Sequence, residues 1–165
     1  MIKLPLDDTT VAKILNGEKT QIIFALRPHP FYEKGYWRWM GSSWSNDITS
    51  IPCTKRLYYS CPYGRVGESI YVKESFAYGG DKKIIFKNDS VEKLKWRNAS
   101  DLPASAIRLL LNIKHIKLTR ITYLTEDDAK KQGYKYLSEW RADFGEMFWD
   151  SNPWVWVINF NTIKR

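Results

Sequence analysis

Cysteine and histidine are scarce in this chain: Cys53, Cys61, His29 and His115 are the only ones in 165 residues. Two cysteines do not make a disulfide framework, and these four side chains lack the short paired spacings of a closed zinc site. No metal and no cofactor is therefore expected, and two reduced thiols in an intracellular protein is the simpler reading. Long hydrophobic runs are missing too. Residues 107–113, the longest apolar stretch, are interrupted by Arg108 and Asn112 and fall well short of the ~20 apolar residues of a membrane span. The start, Met1-Ile2-Lys3-Leu4-Pro5-Leu6, turns acidic at Asp7 and Asp8 and has no signal-peptide core. A cytoplasmic location is expected, with no membrane partner. Internal repeats and low-complexity tracts are absent as well.

Acidic residues are the minority charge, 18 against 26 Lys and Arg, which leaves a formal charge of +8. A field of that sign draws polyanions, nucleic acid first among them, although a basic surface also serves solubility alone. Charge by itself leaves both readings open. The length suits one domain, residues 1–165, large enough to bury a core without staples.

Asp7, Asp8 and Thr9 offer capping oxygens, Val11, Ile14 and Leu15 follow at helical spacing, and Asn16-Gly17 ends the run. A short helix is predicted, then a strand over residues 20–26 that Arg27-Pro28-His29-Pro30 breaks. Residues 31–60 form a long excursion holding Trp37, Trp39 and Trp44, read as a partly ordered aromatic flap. Strands are predicted at residues 69–74 and 82–87. A long alternating strand is predicted over 107–122, kinked near Asn112. Thr125-Glu126-Asp127-Asp128 has the form of a capping box opening a helix that stops at Gly133. A second helix is predicted over 137–149, with Leu137, Trp140, Phe144, Met147 and Phe148 on one apolar face. The last strand starts at Pro153, and Trp154 and Trp156 share one of its faces, where core packing accounts for at least one of them. The class is α+β.

Three separated segments carry the most information: Gly17-Glu18-Lys19-Thr20-Gln21, Cys61-Pro62-Tyr63-Gly64-Arg65-Val66-Gly67-Glu68, and Asn152-Pro153-Trp154-Val155-Trp156-Val157. Together and in this order they resemble the ASCH-domain family, phage or prophage type. That resemblance implies a PUA-like β-barrel with flanking helices, associated with RNA and modified nucleosides. It runs over nearly the whole chain. In the family's small amidohydrolases, which remove the acyl group of N4-acetylcytidine, a Lys and a Thr of the first turn work with a Glu of the late helix. Thr supplies a hydroxyl nucleophile, Lys a base when desolvated, and the carboxylate a proton relay or a base-edge contact.

Lys19 falls on the family's Lys. The Thr position is Ile22, the two Arg positions after it are Ile23 and Phe24, and the Glu position is Gln132, which hydrogen-bonds but takes no proton near neutral pH. A further Arg position falls on Ala106, with Arg108 nearby to compensate. The frame is kept while the chemistry-bearing positions change. Lys19 with Thr20, and Glu74 as carboxylate, remain the candidates for a substitute catalytic set.

The resemblance thus implies a binding module taking RNA, single-stranded nucleic acid or a modified nucleoside at Lys19, Gln21, Arg108 and Gln132. Trp37, Trp39 and Trp44 would stack on bases or fold onto the barrel. Two alternatives stay open. One is an amidohydrolase or ASCH-type ribonuclease; the other is a phage inhibitor that uses the aromatic loop against a host defence protein, since Trp, Tyr and Arg also mark protein hot spots. A phage-encoded protein of this kind would work in the bacterial host's cytoplasm.

Overall fold

The computed structural model describes residues 1–27, 31–34, 36–39, 42–43 and 61–165; Trp44 and the side chains of Trp37 and Trp39 lie outside the described residues. The last strand organises the rest. Residues Trp154–Lys164 (β10) read Trp-Val-Trp-Val-Ile at their start, and all five of these are buried. A strand apolar on both faces requires cover on both. Trp154, Trp156, Ile158 and Phe160 enter the larger core, and Val155 and Val157 the second one. Both Trp154 and Trp156 are therefore core residues.

β10 pairs antiparallel with the long strand Leu109–Arg120 (β9) on one side and with Gln21–Ala25 (β2) on the other. Beyond β9 lies Ser69–Lys73 (β6), and beyond that Ile2–Pro5 (β1), parallel to β6. The resulting order, β1-β6-β9-β10-β2, makes a mixed sheet curled into a half-barrel. The short N-terminal strand β1 carries no sequence signal of its own beyond the alternation of Ile2 and Leu4. Short strands Phe31–Glu33 (β3), Tyr36–Trp39 (β4) and Ser42–Ser43 (β5) form a separate sheet, and Phe76–Tyr78 (β7) pairs with Ile84–Phe86 (β8).

Four helices flank the sheet among the described residues: Asp8–Leu15 (α1), Glu126–Lys131 (α2), Leu137–Phe144 (α3) and Glu146–Asp150 (α4). The predicted second helix is thus two, because Gly145 sits at φ +112° between them. The break leaves Met147 90% exposed and turns Trp149 inward beside Trp140, so the expected single apolar face does not form. The predicted kink near Asn112 also moves. The register of β9 against β10 slips at Lys114, between Ile113 and His115. Asn112 instead ties β9 to the turn before β6, its Nδ2 donating to the Gly67 carbonyl at 3.1 Å.

Two turns set the geometry that matters for function. α1 opens as expected, the Asp7 carboxylate accepting from the Thr10 N–H at 2.9 Å. It ends through Gly17 at φ +77°, whereupon the N–H groups of Glu18 and Lys19 both return to the Lys13 carbonyl. α2 is opened by the capping box: Thr125 Oγ1 accepts from the Asp128 N–H, and Asp128 Oδ2 accepts from the Thr125 N–H at 2.9 Å. Acidic residues in its first turn and Lys130 and Lys131 in its last suit its dipole. It closes at Gly133, φ +83°, where an added Cβ would come within 3.1 Å of Lys13 Cδ and 3.5 Å of the Glu18 carbonyl. The left-handed backbone favours glycine there, and the Thr20 N–H donates to the Lys131 carbonyl at 2.9 Å where the two turns meet.

Gly133→Ala should therefore cost about 2 kcal/mol, since it adds a crowded contact to left-handed backbone, whereas Gly17→Ala, with nothing within 4 Å of the new methyl, should cost about 1 kcal/mol. Urea denaturation of both variants checks the ordering. Equal losses would mean that the close approach of the turns has no energetic weight.

Candidate functional site

Where the two turns meet, four side chains from two distant segments form one hydrogen-bonded line. Gln21 Nε2 donates to Asp128 Oδ1 at 3.0 Å, Gln132 Nε2 donates to Gln21 Oε1 at 2.9 Å, and Lys19 Nζ donates to Gln132 Oε1 in a short contact. All four are buried. The direction of the line follows from its root. A carboxylate only accepts, so Gln21 must turn its NH₂ toward Asp128 and its carbonyl toward Gln132, which in turn presents its own carbonyl to Lys19. Asp128 is held ionised: burial would raise its carboxyl, but the hydrogen bonds from Gln21 and Thr125 and the charge of Lys117 keep it below the ordinary range.

Lys19 opens into a cavity of about 460 Å³. Leu6, Ile22, Ile23, Phe24, Trp140 and Phe144 supply its apolar walls, and Phe24 is stacked from behind by Tyr63 of the Cys-Pro-Tyr-Gly segment, 3.9 Å between centroids. Its polar lining comes from Asp7, Thr9, Thr10 and Lys13 of the α1 region, with Gln132, Tyr134 and Asp143. Lys13 Nζ lies 3.7 Å over the Tyr134 ring, and the Tyr134 hydroxyl donates to the Asp143 carboxylate in a short contact.

Burial, and next the like charge of Lys13, bring the Lys19 amine down to about 8 against a weaker opposing pull from Asp7. For Asp7, burial raises the carboxyl, but Thr10 and Lys19 hold it below its usual range. Burial and the Asp143 carboxylate push the Tyr134 phenol well above its ordinary value, so it stays protonated. The cavity thus combines an easily deprotonated amine, a fixed carboxylate and a protonated phenol whose hydrogen is committed to Asp143.

Of the residues singled out from sequence, Lys19, Ile22, Ile23, Phe24 and Gln132 all line this one cavity. Gln21 stands behind Gln132. Thr20 does not join them: it is exposed, and its backbone groups bond to Lys131 and Phe160. Glu74 and Arg108 are brought together elsewhere. Arg108 Nη2 and Nε reach Glu74 at 2.9 and 3.0 Å, Nη1 and Nη2 reach Asp89, and its guanidinium lies 3.8 Å over Phe86. Neither lines the cavity; a buried carboxylate gripped by two guanidinium nitrogens is a structural pair. Arg108 therefore does not stand in at the cavity for the missing arginines. Ala106 lies in a separate one-turn 3₁₀ helix. Lys13, Asp7, Tyr134 and Asp143 were not legible as site residues, since helix capping and spacing account for the first two and no local pattern links the last two. No group of His, Cys, Asp and Glu among the described residues could hold a metal ion.

The chain matches no protein-family model, no curated protein and no solved structure. What the site can do is therefore read from its own groups.

Since the folded amine titrates near 8 and the unfolded one near 10.5, the unfolded chain binds more protons between those values. Wild-type stability should consequently rise across that window relative to Lys19→Met, which has no amine, by about 2 to 3 kcal/mol. Below about pH 7, where the amine is protonated in both states, the offset should be constant. Denaturation midpoints of both proteins from pH 7 to 10.5 test this, and parallel curves would show that the amine is not desolvated.

Proposed function

We propose that this is an ASCH-like, PUA-like module that binds a nucleobase or modified nucleoside, free or within single-stranded RNA, in the Lys19 cavity, without the hydrolase chemistry of the family it resembles. One observation carries this reading: Lys19, Ile22 and Gln132, the positions the resemblance assigns to one pocket, lie up to 113 residues apart and line one cavity. Its volume lies in the range of small-molecule sites, which run from ~300 to ~1,000 Å³. The flat ring of Phe24 offers a stacking surface, and Lys19 and the Tyr134–Asp143 pair offer polar contacts to a base edge. The +8 charge supplies long-range attraction for a polyanion.

Catalysis of the family's kind lacks its parts. Ile22 has no hydroxyl, and Gln132 is bonded on both ends of its amide, to Lys19 and to Gln21. The inhibitor reading rests on the aromatic segment, whose tryptophan side chains lie outside the described residues.

Wild type should release no cytidine from N4-acetylcytidine, measured by chromatography, and Ile22→Thr with Gln132→Glu should gain weak turnover that Lys19→Ala removes. Turnover by wild type that Lys19→Ala abolishes would replace the binding reading with a hydrolase. In parallel, single-stranded oligoribonucleotide binding should weaken about tenfold or more between 50 and 200 mM salt, as counterion release requires. A flat salt response would leave only a free nucleoside as ligand.

A further inference from the structure

We propose that Lys19 is a covalent capture site: its amine takes small planar aromatic or heteroaromatic aldehydes from the cavity as an imine. This goes beyond nucleoside binding and stands on the cavity alone.

The geometry leaves the lone pair of the neutral amine unoccupied. Lysines inside proteins are ordinarily held as ammonium by a carboxylate; Lys19 instead donates to a neutral amide oxygen. That oxygen cannot be exchanged for the amide's NH₂ by a flip, because Gln132 Nε2 is held by Gln21, and Gln21 by Asp128. The NH₂ end, if turned to Lys19, would donate into the lone pair and block it. The lock keeps the lone pair free while one N–H is bonded. Desolvation and a neighbouring cation are the two devices that activate lysine toward carbonyls, and both are present, the cation being Lys13 on the same cavity wall. The walls suit a flat ring, with the half-buried Phe24 lining the cavity beside Ile22, Ile23 and Phe144. Other ionisable groups facing it are Asp7, Tyr134 and Asp143.

The step balances without a co-reactant. The Nζ lone pair attacks the carbonyl carbon, forming a C–N bond while the carbonyl oxygen takes a proton from nitrogen. The C–O bond of this carbinolamine then breaks as the nitrogen lone pair forms the C=N bond. Both amine hydrogens leave with the oxygen as water.

The full-length protein is incubated at pH 7.5 with pyridine-4-carboxaldehyde and sodium cyanoborohydride, which reduces imines to stable secondary amines, and labelled peptides are quantified by mass spectrometry. With an amine that titrates near 8, about a quarter of Lys19 is neutral at that pH, against about a thousandth of an ordinary lysine. Lys19 should therefore label at least about tenfold faster than any other lysine, even after allowing for the lower nucleophilicity of a weaker base. That preference should vanish in 6 M guanidinium, where every lysine is solvated. Labelling of Lys19 no faster than of surface lysines such as Lys82 and Lys83 in the folded protein would overturn the proposal, as would a preference that survives unfolding. Lys13→Gln, which removes the neighbouring cation without touching the reacting nitrogen, should slow Lys19 labelling about threefold or more; an unchanged rate, with the melting temperature preserved, would count against it.

Discussion

Both oxygens of the Asp128 carboxylate are committed, and the site depends on how. Oδ2 closes the capping box with Thr125 and so fixes where α2 begins; Oδ1 receives Gln21 and so fixes where α2 lies against β2. A residue that caps its own helix and also grips a neighbouring strand converts a local start signal into a tertiary position. Everything beyond it inherits an orientation: Gln21, then Gln132, then Lys19. Each buried polar group in that line is satisfied by the next, which is why four such groups can lie out of water without large loss. Breaking one link would leave an unsatisfied amide or charge beside the core, at a cost of about 1 to 3 kcal/mol.

Lys19 is the end of that line and its least comfortable member. Its partner is neutral, its neighbour Lys13 carries like charge, and Asp7 attracts it only from within its own N-cap bonding. A buried ammonium so weakly compensated shifts toward the neutral amine. The contrast with Arg108 is instructive. That guanidinium is also partly buried, yet it is gripped by Glu74 and Asp89 and stays charged. One cation is anchored, and the other is left available to whatever enters the cavity.

Local structure was largely legible. A cap from among Asp7, Asp8 and Thr9, the Thr125–Asp128 box and the Gly133 stop each follow from short-range chemistry, and the structure realises each of them. The expected alternation through Ile113, His115 and Lys117 does not hold, because the slip at Lys114 puts Ile113 in the core with Ile116 and Leu118 and leaves His115 exposed. Strand β1 was not legible, because four residues ending in proline owe their conformation to pairing with β6 and not to their own preference. The split at Gly145 was missed for a related reason: hydrophobic spacing continues through the glycine, and only the seating of Trp149 against Trp140 shows that the chain turns there. The expected kink at Asn112 appears as a slip at Lys114, since a bulge is placed by the pairing of two strands and only one of them contains the asparagine.

For the site, the sequence by itself determined the ingredients: a lysine after a helix-ending glycine, an isoleucine three residues on, a glutamine just before a second glycine, and an excess of positive charge. These are properties of residue type and local spacing, and they hold whatever the fold. Only the tertiary structure decided which of them meet. It placed Gln132 on Lys19, sent Thr20 outward, paired Glu74 with Arg108 away from the cavity, and added Asp7, Lys13, Tyr134 and Asp143 to the lining. The physical reason is that strand alternation and the seating of α2 beside β2 are set by which apolar faces can be buried together, as Ile23 and Ala129 are, and hydrogen-bond partners more than a hundred residues apart are consequences of that burial.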